Sequence, residues 1–397
     1  MVLKAFKLRL YPNKTQRNQI HVNFGCARFV WNQMLNMHIE RYKNNKKAKF
    51  QGRYSMDVML KALKIEYPWL KQAESTSLQR VNRDLDDAFQ RFFNPDLQNG
   101  FPRFKSKKNT NQSYTSKFVN NNIRIVDEHH IKLPKLGLVY FKAGRILNGK
   151  IRAVTVSVNS RKQYQASILV EGENQTFKKT KKSVGIDLGL KSLAITSDSQ
   201  KEDILKVDDR LNKKLRIWER KKSRRYENAK KAMAFDEHDK VLFPRTDLKQ
   251  FPRYQQAVRT VAKLKKHIAE RRRDNLHKLT TRLVKDYDTI VVENLSVKNM
   301  MKNHHLSASI ANASWGTLIS QLKYKCAWYG KKLIIIDPKN TSRICHECKQ
   351  KNHEFDSLSQ SEWLAAREWD CPNCHAHLDR DVNAAKNILA KGLETLS

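Results

Sequence analysis

Val184-Gly-Ile-Asp-Leu-Gly189 holds an acid, Asp187, at the end of an apolar run of the kind that builds a buried strand. A carboxylate there is costly unless it is paired or binds a cation. Two further stretches repeat the anomaly. Ile290-Val-Val-Glu-Asn294 places Glu293 directly after a second buried-type strand, and Asp379-Arg-Asp-Val-Asn-Ala-Ala-Lys-Asn-Ile388 places Asp381 at the mouth of a helix. Any one of them reads as an ordinary strand-end or cap acid. Three at the ends of separate core elements read instead as a site for two Mg2+ ions acting on a phosphodiester. Each residue of an α-helix advances by about 100°, so Asp381, Ala384, Ala385 and Ile388 share one small apolar face. Asp379 falls elsewhere, as the N-cap of that helix.

Phosphate as the target follows from charge. The 397 residues carry 78 Lys+Arg against 39 Asp+Glu, a formal net charge of +39. So much positive charge repels itself in a compact state unless an anion shares the surface. Within residues 210–231, eleven of 22 side chains are Lys or Arg and only Glu219 and Glu227 oppose them. Lys221, Lys222, Arg224 and Arg225 are therefore candidate contacts to a nucleic-acid backbone. A membrane surface is the weaker reading, because no basic amphipathic anchor stands alone. At 40% hydrophobic residues the chain can build real cores, which excludes general disorder. No stretch approaches the roughly 18 uncharged apolar residues of a membrane span, and the opening Met1-Val-Leu-Lys-Ala-Phe-Lys-Leu-Arg-Leu10 is no signal peptide. A soluble, intracellular protein of two or three domains is expected.

The six cysteines do not form a disulfide framework. Cys26 and Cys326 have apolar neighbours and read as small buried hydrophobes. Cys345-His-Glu-Cys348 and Cys371-Pro-Asn-Cys374 form two knuckles, the pattern of a four-thiolate zinc site. Four thiolates fill a tetrahedron, so the one zinc is structural; His346, His375 and His377 stand close enough in sequence to compete as ligands.

Periodicity organises the rest. Residues 2–11 read as a strand and residues 14–93 as helix, broken at Asn94-Pro95 and Asn99-Gly100. Short β-type runs follow at 123–126, 131–133, 138–141, 154–158 and 164–170, suggesting a small barrel or sandwich to which the first strand returns. Lys178-Lys-Thr-Lys-Lys182 reads as a linker. Two strands then meet at Gly189-Leu190. Residues 207–285 read as basic helix with a break at 243–252, and a strand follows at 289–292. Residues 299–305 read as flexible, residues 314–329 as helix and residues 333–336 as strand. Residues 361–369 are helix-competent, and the last helix begins near Asp379.

The ordered set of motifs resembles TnpB, a family of transposon-encoded RNA-guided nucleases related to type V CRISPR effectors. The resemblance rests on Lys7-Leu-Arg-Leu-Tyr-Pro12, Ala27-Arg-Phe-Val-Trp-Asn32, Arg83-Asp-Leu-Asp-Asp-Ala-Phe89, Gly100-Phe-Pro-Arg-Phe104, Lys132-Leu-Pro-Lys-Leu-Gly137 and Gly185-Ile-Asp-Leu-Gly189. It continues through His277-Lys-Leu279, Val292-Glu-Asn-Leu295, Trp315-Gly316, Thr341-Ser-Arg-Ile-Cys345, Arg367-Glu-Trp369 and Asp379-Arg-Asp-Val-Asn-Ala-Ala385. Lys349 and His375 stand where the family usually has glycine after each knuckle, and Leu378 where it usually has His.

The resemblance implies a mixed α/β and α+β multidomain chain. Residues 1–12 and 101–177 would form a wedge-like β-barrel and residues 13–100 an inserted helical recognition domain. Residues 183–397 would be an RNase H-like (RuvC) nuclease with a zinc ribbon inserted at 341–378. It further implies Asp187, Glu293 and Asp381 as the catalytic metal ligands, a transposon-end guide RNA, and a double-stranded DNA target beside a short transposon-adjacent motif. By position, Tyr54, Thr76, Gln79 and Asn120 match the family's motif-reading residues. Arg343, two residues before Cys345, is a candidate cation for the scissile phosphate. Two other functions compete: a nuclease-silent RNA-guided DNA binder, which would be expected to lose a triad acid, and a transposase. The order Asp…Glu…Asp favours RuvC-like cleavage over enzymes that place Glu last.

Overall fold

Alternation of apolar and basic residues makes Val2–Leu10 a strand, and this first strand takes the middle of a sheet rather than an edge. The computed structural model describes the chain apart from residues 1, 98, 110, 143–148, 160, 174–175, 191, 204–208, 232–247, 249, 301, 303–306, 357, 359–361, 363–365 and 396–397. It divides into two units, Met1–Glu173 and Asn174–Ser397.

In the first unit, β1 (Val2–Leu10), β2 (Gln112–Lys117), β3 (Arg124–Ile125), β4 (His130–Leu133), β5 (Gly137–Lys142), β6 (Lys150–Val158) and β7 (Tyr164–Gly172) form a seven-stranded sheet. Its order is β2-β6-β7-β1-β5-β4-β3, with every pair antiparallel. β1 runs along β7 (Phe6 opposite Ile168) and ends on β5 (Leu10 opposite Phe141), so the expected return of the first strand is what is found. β2 has no counterpart in the sequence reading. Gln112-Ser-Tyr-Thr-Ser-Lys117 is too polar for its alternation to stand out, although Tyr114 and Ser116 are buried and Thr115 bonds the Thr155 hydroxyl at 2.8 Å.

Three helices pack into the same core: α1 (Lys14–Asn44), α2 (Arg53–Glu66) and α3 (Ser75–Phe93). A capping box starts α1: Asn13 Oδ1 accepts from the Gln16 N–H at 2.8 Å, and Gln16 Oε1 accepts from the Asn13 N–H at 3.0 Å. Ile20, Phe24, Ala27, Val30, Trp31 and Met34 then repeat at helical spacing and are buried. α2 and α3 lie antiparallel. Lys64 meets Ser75 at 3.0 Å at one end, and the Asn82 amide donates to Asp57 at 2.7 Å further along.

The second unit opens with β8 (Ser183–Asp187), β9 (Ser192–Thr196) and β10 (Lys201–Asp203), then the basic helices α4 (Asp209–Lys231) and α5 (Pro252–Asp286). Next come β11 (Thr289–Glu293), α6 (Val297–Met300), α7 (Ser307–Ala313), α8 (Trp315–Tyr329), β12 (Lys332–Ile336), the paired strands β13 (Glu368–Asp370) and β14 (His377–Asp379), and α9 (Arg380–Glu394). The sheet order is β10-β9-β8-β11-β12. The first two joins are antiparallel and the last two parallel. Val184, Ile186, Ile290 and Val292 bury one face with α5, α7 and α8. Residues one place along each strand, Gly185 and Val291, turn to the other face and meet α9.

The expected linker is fastened down. Asp288, at the start of β11, accepts the N–H groups of Thr180 (2.9 Å) and Lys181 (2.7 Å) and pairs with Lys331, while Phe177 stacks on Tyr329 at 4.1 Å. The break expected at 243–252 and the stretch at 299–305 fall largely outside the described residues, as do 361 and 363–365 of the helix-competent 361–369. At the end of that last stretch, Glu368–Asp370 is a strand and not a continuing helix, because Trp369 pairs with Leu378.

Candidate metal centres

β8 and β11 are parallel neighbours in a register that sets Val292 opposite Ile186, so the next residues on the two strands are Glu293 and Asp187. Both acids leave the carboxyl ends of their strands, the end at which open α/β sheets bind ligands. Side chains alternate along a strand, so Asp187 shares the face of Gly185 and Glu293 that of Val291. That is the face covered by α9. A Cβ on Gly185 would strike the Ala385 carbonyl and lie 2.6 Å from Leu389 N, so the bare strand and the buried pair Ala384 and Ala385 let helix backbone lie on strand backbone. Gly392 of α9 leaves room in turn for the Val291 side chain.

That close approach brings the start of α9 to the two strand ends. Asp379 is the N-cap, accepting the N–H groups of Asp381 and Val382 at 3.0 Å each, and it pairs with Lys201 at 2.7 Å. Asp381, in the first turn, is gripped by two cations: Arg380 Nη2 at 3.0 Å and Arg367 Nη1 at 3.2 Å.

The electrostatics follow from this placement. The Asp187 carboxyl is pushed up to about 7, first by burial and then by the charges of Glu293 and Asp381, with Arg380 opposing. Burial also raises Glu293, which is 6% exposed, and the hydroxyl of Thr341, donating to its Oε1 at 2.5 Å, opposes that rise. A buried carboxylate raised by two neighbouring acids, at the carboxyl ends of parallel strands, suits hard cations, which take oxygen ligands.

The cysteines form the second centre. Their four sulfurs lie within 4.8 Å of one another, and no other such group of His, Cys, Asp or Glu occurs among the described residues. Cys345 and Cys374 are 3.7 Å apart, and Cys348 and Cys371 are 3.6 Å apart. A tetrahedron with zinc–sulfur bonds of about 2.3 Å has edges of about 3.8 Å, so the set fits. Each knuckle is the same hairpin. Cys345 O accepts from Lys349 N (3.0 Å) and Cys371 O from His375 N (2.8 Å); Cys345 N donates to Gln350 O (2.9 Å) and Cys371 N to Ala376 O (3.0 Å). Lys349 and His375 sit at φ 62° and 59°, the left-handed region. That explains glycine as the family's usual residue at both places. His346 and His377 bond elsewhere, to Asn383 and Asp370, and are not in the thiol group.

The remaining candidates are distributed. Arg343 is half-buried between Thr341 and Cys345, its N–H on Asn340 O and its carbonyl on Asn352 N. On α4, Lys221 and Arg225 lie 5.0 and 5.7 Å from the centre of the Trp218 ring, and Arg225 donates to Arg253 O at 2.7 Å; Arg224 is exposed and Lys222 half-buried. In the first unit Gln79 and Asn120 are exposed, Asn120 in a left-handed turn. Thr76 is half-buried: its hydroxyl donates to Glu74 (3.0 Å) and accepts from Lys117 N (2.9 Å), which ties α3 to β2 close to Asn120. Tyr54 is 75% exposed beneath Arg53. It belongs to the other end of the helix pair, since Gly52 neighbours Asp86. Ten residues of helix separate Asp86 from Thr76, about 15 Å.

Sequence reasoning misses Arg367 and Arg380, which flank the second knuckle, and misses Thr341, Asn383 and Asn387. All five lie inside or beside the quoted motifs, but only long-range contacts give them roles.

A mixed α/β chain in two units, with a thiolate ribbon running straight into the helix that bears the third acid, has the architecture of the Cas12-type effectors. It covers 98% of the Cas12f1 chain in a cryo-EM structure titled as the Cas12f1–sgRNA–target DNA complex, and 98% of itself, with a TM-score of 0.54 at 14% identity. Residues 315–388 match the family described as "Cas12f1-like, TNB domain", residues 167–304 "Probable transposase" and residues 1–47 "Helix-turn-helix domain". In that last stretch this chain has one strand and one long helix. A Streptomyces pristinaespiralis protein named "Putative RNA-guided DNA endonuclease" is 32% identical over 99% of this chain and 90% of its own. Escherichia coli InsQ, which carries the same description, is 31% identical over 100% and 94%. The chain belongs to the TnpB (IS605 OrfB) family.

Proposed function

We propose that this chain is a transposon-encoded RNA-guided DNA endonuclease, and that Asp187, Glu293 and Asp381 hold two Mg2+ ions at its cutting site. The observation that carries the reading is the placement of two acids on adjacent parallel strand ends and a third at the start of the helix packed over them. Bound there, the ions would supply positive charge to the scissile phosphate and its leaving oxygen. The chain's own groups divide the remaining work. Arg367 and Arg380 fix Asp381, Thr341 fixes Glu293, and the end of the central strand β8 fixes Asp187. Arg343, on the segment that carries Thr341, is the candidate cation for the phosphate itself. One zinc on Cys345, Cys348, Cys371 and Cys374 would hold the ribbon together without joining the chemistry.

The five-stranded sheet, antiparallel on one side and parallel on the other, supports a RuvC-like reading of residues 183–397 with the ribbon at 341–378. The seven-stranded sheet supports a barrel built from 1–12 and 101–177, with residues 13–100 as a helical recognition domain. Guide RNA would pair with one strand of double-stranded DNA while Gln79, Thr76 and Asn120, with Tyr54 set apart, read the adjacent motif. No helix among the described residues is long and apolar enough to cross a membrane. Acting on DNA, the protein would work in the cytoplasm at the nucleoid.

The test is direct. Purified protein with the RNA that co-purifies, a matching DNA duplex and Mg2+ should cut, and Glu293→Gln should bind the same duplex without cutting. Guide-dependent binding without cutting by the parent protein would favour the nuclease-silent reading. Strand transfer without a guide would favour a transposase. Neutralising Lys221, Lys222, Arg224 and Arg225 together should flatten the salt dependence of binding; an unchanged slope would remove α4 from the interface.

A further inference from the structure

The segment between β12 and the first cysteine touches both metal centres. Its first anchor is Thr341, 5% exposed, whose hydroxyl donates to Glu293 at 2.5 Å. Its second is a pair of asparagines one turn apart on α9. Asn387 Nδ2 donates to the carbonyls of Thr341 (2.9 Å) and Ile344 (2.6 Å), and Asn383 Nδ2 also donates to Ile344 O (2.8 Å). Asn383 Oδ1 accepts the N–H of His346, the residue after Cys345, at 2.9 Å. Both asparagines are buried, at 1% and 8% exposure. Buried amides bonded to backbone fix a geometry, because breaking one bond leaves an unsatisfied polar group.

We infer that residues 341–346 are a positioning strap that couples the thiolate ribbon to the carboxylate site: Thr341 sets the orientation of Glu293, and Asn383 and Asn387 hold Thr341 in register with α9, which carries Asp381. Thr341, Asn383 and Asn387 are positioning residues. None replaces a ligand. The hydroxyl leaves Glu293 Oε2 to face a cation while it occupies Oε1, and it denies the carboxylate a second rotamer. The inference rests on the reading of Glu293 as a metal ligand.

Substituting a hydrogen-bonding partner of a metal ligand typically costs about 10- to 100-fold in metal affinity or activity. The test is Thr341→Val, which keeps the shape and removes the hydroxyl, beside Thr341→Ser, which restores it. Divalent affinity is read with Mn2+ by electron paramagnetic resonance on protein carrying its co-purified RNA, with no cleavage involved. Cleavage is read separately as a function of Mg2+ concentration, and DNA binding in EDTA. Thr341→Val should weaken Mn2+ by about 10-fold or more, move the Mg2+ requirement for cutting upward to match, and leave DNA binding in place. Thr341→Ser should recover both, and Asn387→Ala should shift both in the same direction. Parental Mn2+ affinity in Thr341→Val, or no recovery in Thr341→Ser, would overturn the strap. Glu293→Gln separates the two levels: if it binds Mn2+ as tightly as the parent, the ligand assignment fails and not the strap alone.

Discussion

The two candidate metal centres are built in opposite ways. The four thiols come from two hairpins of one design, 29 residues apart between Cys345 and Cys374, and their sulfurs stand at the spacing of a tetrahedron. The three carboxylates come from two strands and a helix, 194 residues apart between Asp187 and Asp381. Each is held by a different partner: Thr341, the arginines 367 and 380, or the end of the sheet. The first arrangement is local and closed, which suits an ion that holds a fold. The second is assembled and sets the buried Asp187 against the charges of Glu293 and Asp381, which suits ions that must also meet a substrate.

Removing one member should therefore have different consequences at the two sites. Asp381→Asn keeps an acceptor for Arg380 yet should lower the cutting rate by roughly three orders of magnitude, about 4 kcal/mol, with DNA binding retained. Single-turnover cleavage beside a binding assay checks this. A cut rate within tenfold of the parent would break the contrast. Cys371→Ser should do the reverse. Elemental analysis should find most of the zinc gone, with the loss of a large share of the roughly 10–16 kcal/mol such a site contributes to local folding, and the buried Trp369 should become exposed to quenchers.

Asp288 offers a third kind of charge, fully satisfied without metal. Its pairing with Lys331 and two backbone N–H groups holds its carboxyl well below the usual carboxylate range, so its stabilisation is present above pH about 4 and is lost as pH falls below that value. Asp288→Asn should cost about 3 kcal/mol near pH 7, because the Lys331 side chain, 1% exposed, is left buried without its counter-charge and with only the Lys178 carbonyl as a bonded partner among the described residues. Thermal melts of the two proteins should begin to draw together only as pH falls below about 4 and should still differ at pH 3. Smaller effects follow at the ribbon. Lys349→Gly and His375→Gly should each stabilise it by about 1 kcal/mol, since both remove a left-handed non-glycine residue, and chelator resistance is the readout. Asp379→Ala should cost about 1 kcal/mol of helix capping and leave substantial cutting, which separates it from Asp381→Asn two residues away.

The sequence is most legible where chemistry breaks a pattern. Acids that close hydrophobic runs mark the ends of β8 and β11, and Ala384-Ala385 beside Asp381 marks the face of α9 that lies on the sheet. Cysteine spacing marks the ribbon as plainly. What stays hidden is pairing across distance. Nothing in Gln112-Ser-Tyr-Thr-Ser-Lys117 announces a strand, because its neighbour β6 supplies half of the pattern. Arg367 and Arg380 look like two more cations among 78 until the fold sets both on Asp381. Lys178-Lys-Thr-Lys-Lys182 has the composition of a linker, and only Asp288, more than a hundred residues later, turns it into a fixed strand of backbone.

The bare contact between Gly185 and α9 also sets a schedule. β8 leaves the ribosome early, whereas α9 emerges some 200 residues later, so their junction is the most non-local contact of the second unit and closes after the elements between them. At the usual pace of synthesis, about 5–20 residues per second, a nascent chain spends roughly ten seconds or more with Asp187 in place and Asp381 still unmade. For that interval the carboxylate site lacks a member. On the proposed function, a half-made copy would carry its basic helices without a complete cutting site, and the site would be whole only once synthesis has passed the third acid.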